Sequence, residues 1–284
     1  MLKLGSHVSI SGGYDKAVEK AAVLGCNAFQ MFMRNPRSFK RKNPDTQEVE
    51  AFLKARDDHK IQSVVAHQVY ASNLASNDKN FHYFTIKEFI KDIELAQLLG
   101  IKLIVTHPGS FKGGDYSQGF LRIISALKKI VKKLPEDMMI LLENVSGSGH
   151  WLGSRFSEIG YIIDSLDNPD NIGLCLDTCH AWGAGYDLHS KAGLDSTLKE
   201  IDKTIGVDKI KVVHLNDTNE NLGSRKDRHL GIGHGHIGYE GFSNIINHPY
   251  LKDCVFIIET PRDDQEKDDL ENLNVLRKLY KRKS

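Results

Sequence analysis

The chain has 284 residues, 40% of them hydrophobic and 26% charged, enough apolar side chain for a sizeable core, which excludes disorder, collagen and coiled coil as overall descriptions. Lys and Arg number 38 against 37 Asp and Glu, a net charge of +1, so a nucleic-acid partner would have to be met by a local patch. No stretch of about 18 apolar residues is available to cross a membrane, and the first thirteen residues lack the apolar run of a signal peptide. The expectation is a cytoplasmic protein. Four cysteines, Cys26, Cys175, Cys179 and Cys254, are too few and too scattered for a disulfide framework.

In chain order, Lys3–Ser6 reads as a strand and Tyr14–Leu24 as a helix, with Gly25 at its C-terminal cap. A second strand, Ala28–Phe32, is followed by a helix over Thr46–His59, where Asp45 and Glu48 form a capping-box pattern. Ser63–Ala66 and Leu103–Thr106 flank a helix over Phe84–Leu99 that Gly100 closes. Further strands are predicted at Met139–Leu142, Gly173–Leu176, Lys211–Val213 and Val255–Ile258, and further helices at Gln118–Lys133, Leu194–Ile205 and about Leu270–Lys281. Eight strands in 284 residues give roughly 35 residues per unit, which predicts a (β/α)8 TIM barrel formed by residues 1–284 as one domain. A doubly wound open sheet competes, but no G-x-G-x-x-G fingerprint follows the first strand.

The residue just past each of the last six strands is His67, His107, Glu143, Asp177, His214 or Glu259, spaced by 40, 36, 34, 37 and 45 residues. In a barrel such side chains converge on one mouth. A single His or Glu at a strand end is usually just a hydrogen-bonded residue. Six in succession of metal-ligand type point instead to shared cation binding, because carboxylates crowded together repel unless a divalent ion sits among them. Two loop clusters add donors: Asp177-Thr178-Cys179-His180 and Asp227-Arg228-His229. Nine donors exceed the needs of one four-coordinate zinc, so two or three ions are expected, an arrangement suited to phosphate-ester cleavage. The run from Arg34 to Lys42, with Arg34, Arg37, Lys40, Arg41 and Lys42, places five basic residues after the second strand, where phosphate contact is the functional reading and a solvated loop the plain one.

The segments His107-Pro108-Gly109-Ser110, Leu142-Glu143-Asn144, Leu176-Asp177-Thr178-Cys179-His180-Ala181, His214-Leu215-Asn216-Asp217, Gly223 to His229 and Gly235-His236-Ile237-Gly238 are long, ordered and dispersed. Through them the chain resembles the endonuclease IV family of DNA-repair enzymes, from Leu4 to about Thr260. The resemblance implies a zinc-dependent apurinic/apyrimidinic endonuclease with three zinc ions. Its substrate would be double-stranded DNA containing an abasic site, cut on the 5′ side to leave a 3′-hydroxyl. By position, His67, His107 and Glu143 resemble the first site, and Glu143 (bridging, and catalytic), Asp177, His214 and Glu259 the second. His180, Asp227 and His229 resemble the third. Arg37 and Tyr70 correspond to residues that the family inserts into the duplex, and a base-free nucleotide is cheap to flip. Ala71 and His234 depart from the family pattern, where a bulky aliphatic residue and Glu are usual, as does Asn144-Val145-Ser146-Gly147.

His7 reads equally as a support for the centre or as a core histidine; His59, His82, His150, His189 and His248 read as surface residues. Neither His234 nor His236 is expected to be a ligand, and the basic end from Arg277 to Lys283 reads as a solvated helix terminus. A covalent role for Cys179 is disfavoured, since sequence neighbours such as His180 rarely face each other. The rival function is a metal-dependent sugar isomerase or epimerase on the related xylose-isomerase-like barrel, which would need a carbon-acid base and fewer ions. A DNA-binding protein without catalysis is the third reading, and it would predict a broken ligand set. The expected assembly is a monomer.

Overall fold

The computed structural model describes residues 1–35, 39, 43–167, 169–261 and 267–281. Its ten strands, in chain order, are β1 (Lys3–Ser6), β2 (Ala28–Phe32), β3 (Ser63–His67), β4 (Leu103–Thr106), β5 (Gly109–Ser110), β6 (Met139–Glu143), β7 (Trp151–Leu152), β8 (Ile172–Asp177), β9 (Ile210–Leu215) and β10 (Val255–Ile258). Eight of them form one parallel sheet in the order β1-β10-β9-β8-β6-β4-β3-β2, and β5 pairs antiparallel with β7 above it. The sheet curls until β1 meets β2: His7 bridges Gln30, and the Val8 N–H donates to the Gln30 carbonyl at 2.7 Å. Gly5 makes that closure possible, because a Cβ there would lie 1.6 Å from the Ala28 carbonyl oxygen. The expected TIM barrel is present.

The helices are α1 (Tyr14–Val23), α2 (Thr46–Asp58), α3 (Lys79–Leu98), α4 (Tyr116–Val131), α5 (Phe156–Asp164), α6 (Thr178–Ala184), α7 (Lys191–Thr204), α8 (Gly238–Ile246) and α9 (Lys267–Leu279). Gly25 and Gly100 take the left-handed conformation one residue past the caps of α1 and α3. Asp45 and Glu48 make the predicted reciprocal bonds at the start of α2, at 2.9 and 3.0 Å. Among the described residues no helix is long and apolar enough to cross a membrane.

Several boundaries differ from expectation. Helix α3 starts five residues before the predicted Phe84, at Lys79, where Asp78 accepts from the Asn80 and Phe81 N–H groups. Its first turn contributes no buried residue, so the apolar period of the core face does not mark it. Thr178–Ala184 is a short helix capped by Asp177 rather than a loop. His82 and His248 are half-buried rather than superficial, because each ring nitrogen reaches an oxygen, the Arg122 carbonyl at 3.2 Å and the Asp195 carboxylate at 3.2 Å.

Strand side chains alternate between two cores. Those facing out, including Phe29, Ile104, Leu142, Leu174, Val213 and Phe256, join the helices in the larger one. Those facing in, namely Ala28, Val65, Val105, Leu141, Cys175, Val212, Val255 and Ile257, fill the barrel. Two residues further along, the next inward positions open onto the mouth.

Candidate metal centre

The period of two carries Val65 to His67, Val105 to His107, Leu141 to Glu143, Cys175 to Asp177, Val212 to His214 and Ile257 to Glu259. The six donors therefore form the polar layer directly above the apolar plug. His67, Glu143, Asp177 and His214 lie within their strands rather than just past them, because backbone pairing runs one or two residues further than the predicted ends.

The donor atoms of His67, His107 and Glu143 lie within 4.8 Å of one another, as do those of Glu143, Asp177, His214 and Glu259, and those of His180, Asp227 and His229. Glu143 joins the first two groups. Its Oε2 faces His67 Nε2 at 3.0 Å and His107 Nε2 at 3.1 Å, while Oε1 faces His214 Nδ1 at 3.1 Å. One carboxylate is thus divided between two clusters, the geometry that bridging would require. In the third group Asp227 stands between His180 Nε2 and His229 Nε2, both at 3.2 Å.

Partners behind the donors select which nitrogen of each ring faces inward. His67 Nδ1 donates to the Gln68 carbonyl at 2.6 Å, His180 Nδ1 to the Asn144 carbonyl at 2.9 Å and His229 Nδ1 to the Glu259 carbonyl at 3.1 Å. Carbonyls only accept, so each Nε2 is left with its lone pair toward the cluster. His214 is reversed. The Gln30 amide must donate to Glu259 Oε1 (2.6 Å), so Gln30 Oε1 faces His214 Nε2 at 2.8 Å and that nitrogen carries the proton. His214 Nδ1 is then the ring nitrogen that could serve as a ligand. Asn216 donates to Asp177 Oδ2 at 2.7 Å and accepts from the Glu259 N–H at 2.9 Å, tying β8 to β10 across β9.

Burial works against charge on Glu143, His180, Asp227, His229 and Glu259, and attraction to their partners outweighs it. Burial raises the Glu143 carboxyl, yet His107 and His214 hold it well below the usual carboxylate range. Burial lowers His180, but Asp177, Asp227 and Glu143 draw it well above the usual imidazole value; for His229, Asp227 and Cys179 do the same. Glu259 and Asp227 are likewise held far down, against burial, chiefly by His214 and by His180 respectively. Ionised carboxylates beside imidazoles whose inward nitrogens would give up a proton to a cation form a donor set of the mixed N/O kind that a borderline divalent ion accepts.

All nine predicted donors meet at the mouth. Tyr70 stands at its rim, 58% exposed, with its ring centroid 5.2 Å from that of Phe32 and stacked near His107 at 6.3 Å. Arg37 lies outside the described residues, as do Lys40, Arg41 and Lys42. Arg34 does not join a basic surface: its side chain is 2% exposed and bonds Glu88 and Asp92 of α3, each at 2.5 Å. Cys179 Sγ donates to the Arg228 carbonyl at 3.5 Å and groups with Asp177 and His229, while burial pushes the Cys175 thiol inside the barrel up to about 12. His234 and His236 are exposed, and Trp182 stacks on the latter at 6.1 Å. Of the basic end, Arg277 donates to the Leu24 and Gly25 carbonyls that terminate α1.

His7 Nδ1 lies 3.1 Å from Glu259 Oε1, so this residue supports the centre. Gln30 was not expected there. The signal was present: extending the inward period of two to the first two strands leads from Gly5 to His7 and from Ala28 to Gln30.

A family described as xylose isomerase-like TIM barrel matches residues 18–279. Solved structures share the fold, among them a D-tagatose 3-epimerase-like protein with a TM-score of 0.75 at 22% identity, covering 98% of this chain and 97% of that one, a likeness of fold alone. Closer in sequence, a probable endonuclease 4 of Halothermothrix orenii is 41% identical over 277 residues, spanning 98% of this chain and all of the relative. One of Methanoculleus marisnigri is 39% identical over 269 residues, 94% of this chain and 95% of the relative. The crystal structure of endonuclease IV from Thermus thermophilus superposes with a TM-score of 0.85 at 36% identity, covering 98% of both chains. The chain belongs to the endonuclease 4 family.

Proposed function

We propose that the protein is a zinc-dependent endonuclease that hydrolyses the phosphodiester 5′ to an abasic deoxyribose in duplex DNA, leaving a 3′-hydroxyl and a 5′-deoxyribose phosphate. The observation that carries this reading is the division of the Glu143 carboxylate between two donor clusters, with a third cluster beside them, in a chain of the endonuclease 4 family. Three zinc ions are assigned to the three groups: His67, His107 and Glu143; Glu143, Asp177, His214 and Glu259; and His180, Asp227 and His229. Bound zinc supplies Lewis acidity toward phosphate oxygens and a nucleophilic water at neutral pH.

The chain's own residues do the positioning. Glu143 holds two clusters at a common distance, and Gln30, Gln68 and Asn144 orient the rings. Asp227, 51% exposed at the side chain, is the outermost donor and the one a phosphate would approach first. Tyr70 and Arg37 are assigned to the gap left by the missing base, where lost stacking makes the duplex deformable.

The test is incision of a duplex carrying one defined abasic site, with metal analysis of the same preparation. Nicking with a 3′-hydroxyl product and three equivalents of zinc are expected. Glu143→Ala should lower the rate by at least about 100-fold, the scale of losing one charge-stabilising group at a reacting centre. A variant that nicks at the wild-type rate would remove Glu143 from the mechanism. Turnover of a ketose without nicking would establish the sugar-epimerase reading instead.

A further inference from the structure

The motif from Ile232 to Gly238 contributes no donor, yet it surrounds one fully buried carboxylate, Asp217, two residues beyond the end of β9. Five backbone N–H groups converge on it. Oδ2 accepts from Gly233 at 3.0 Å, Gly235 at 2.9 Å and Gly238 at 3.2 Å, and Oδ1 accepts from Thr218 at 2.8 Å and Ile237 at 3.1 Å. Ile237 and Gly238 open α8, so the same carboxylate faces the positive end of that helix. The turn is shaped to the carboxylate. A Cβ on Gly235 would lie 2.2 Å from the Thr218 carbonyl and 2.5 Å from Asp217 Oδ1, and Gly233 and Gly238 take left-handed φ values of 85° and 64°.

Asp217 reaches the metal centre through its backbone. Its N–H donates to the Leu230 carbonyl at 3.3 Å, and the Leu230 N–H returns to the Asp217 carbonyl at 2.7 Å. Leu230 directly follows His229 and stands three residues after Asp227, two members of the third donor cluster. We propose that Asp217 is the positioning residue of that cluster: it gathers the 233–238 turn against the end of β9 and so holds Asp227 and His229 at ligand spacing opposite His180. The inference rests on the reading of that cluster as a zinc site.

Asparagine at 217 would keep one acceptor but turn an NH2 group toward two or three of the same N–H donors. The full-length, zinc-loaded Asp217→Asn protein should therefore bind one of its three zinc ions about 10- to 100-fold more weakly, the usual effect of removing a group that orients a ligand. That ion should leave sooner to a chelator, and added zinc should restore nicking. Three retained equivalents with an unchanged release rate, alongside a wild type that also holds three, would overturn the role of Asp217 alone. A wild type with only two zinc ions, or none, would overturn the third site itself. Should the variant fail to fold, the wild type provides the readout by reciprocity. Adding zinc to chelated protein should slow amide exchange across residues 230–238, and exchange that zinc leaves unchanged there would overturn the proposal.

Discussion

Arg34 stands at the end of β2 with its guanidinium forked between Glu88 and Asp92, which share one face of α3 four residues apart. Replacing it with leucine would leave two carboxylates buried without that cation, and the Arg34→Leu variant should lose about 3–5 kcal/mol in denaturant unfolding. Burial raises the Glu88 carboxyl, but hydrogen bonds from Lys91 and Arg34 outweigh it and hold the group below its ordinary value of 4.5. A depressed folded value means stability present above that ordinary value and lost as pH falls through the folded one. The wild-type melting temperature should therefore decline on acidification below pH 4.5, and Glu88→Gln should show a shallower decline over the same range. In the sequence Arg34 is one of five cations within nine positions and reads as part of a phosphate-binding run. Its acidic partners lie 54 and 58 residues away, a distance that local patterning does not cross.

At the scale of elements, the period of two is what brings the donors to the mouth, and it is legible because it is local: each donor sits two residues past an apolar residue of the same strand. Helix starts were less legible, since Asp78, Asp115 and Ser190 cap starts that lie ahead of the first buried apolar residues, Ile86, Phe120 and Leu194. Glycine at a close crossing was not legible at all. Gly160 of α5 lies where a Cβ would come within 2.3 Å of the Thr204 carbonyl at the end of α7. Gly160→Ala should cost about 1–3 kcal/mol by forcing the two helices apart, measured as a lower urea midpoint. Its nicking rate should stay at the wild-type level, because neither helix contributes a donor.

For the whole molecule, the candidate metal centre draws six of its donors from six of the eight barrel strands or their immediate ends. Ligands that bind only the folded chain stabilise it by mass action, about 2.7 kcal/mol per site at a free concentration 100-fold above Kd. Chelation should therefore lower the melting temperature by roughly 5–10 °C or more, reversed by zinc. A melting temperature indifferent to chelation would show that no ion bridges the strands. With a net charge of +1, the DNA binding of the proposed function would rest on local phosphate contacts, and affinity should then fall steeply with salt as counterions are released.

The repeat of strand and helix, the nine donors at strand and loop ends, and the dispersed motifs that resemble the family are all legible along the chain. The repeat and the six strand-end donors follow from spacing within a strand or one unit of about 35 residues, whereas the family is a resemblance carried by the dispersed motifs. That Glu143 faces two clusters with separate oxygens, that Gln30 turns His214 to present Nδ1, and that Arg34 belongs to the interior became visible in the folded molecule. Those outcomes depend on which side chains meet once the ring of strands closes, and the atoms involved come together across as many as 184 residues of chain.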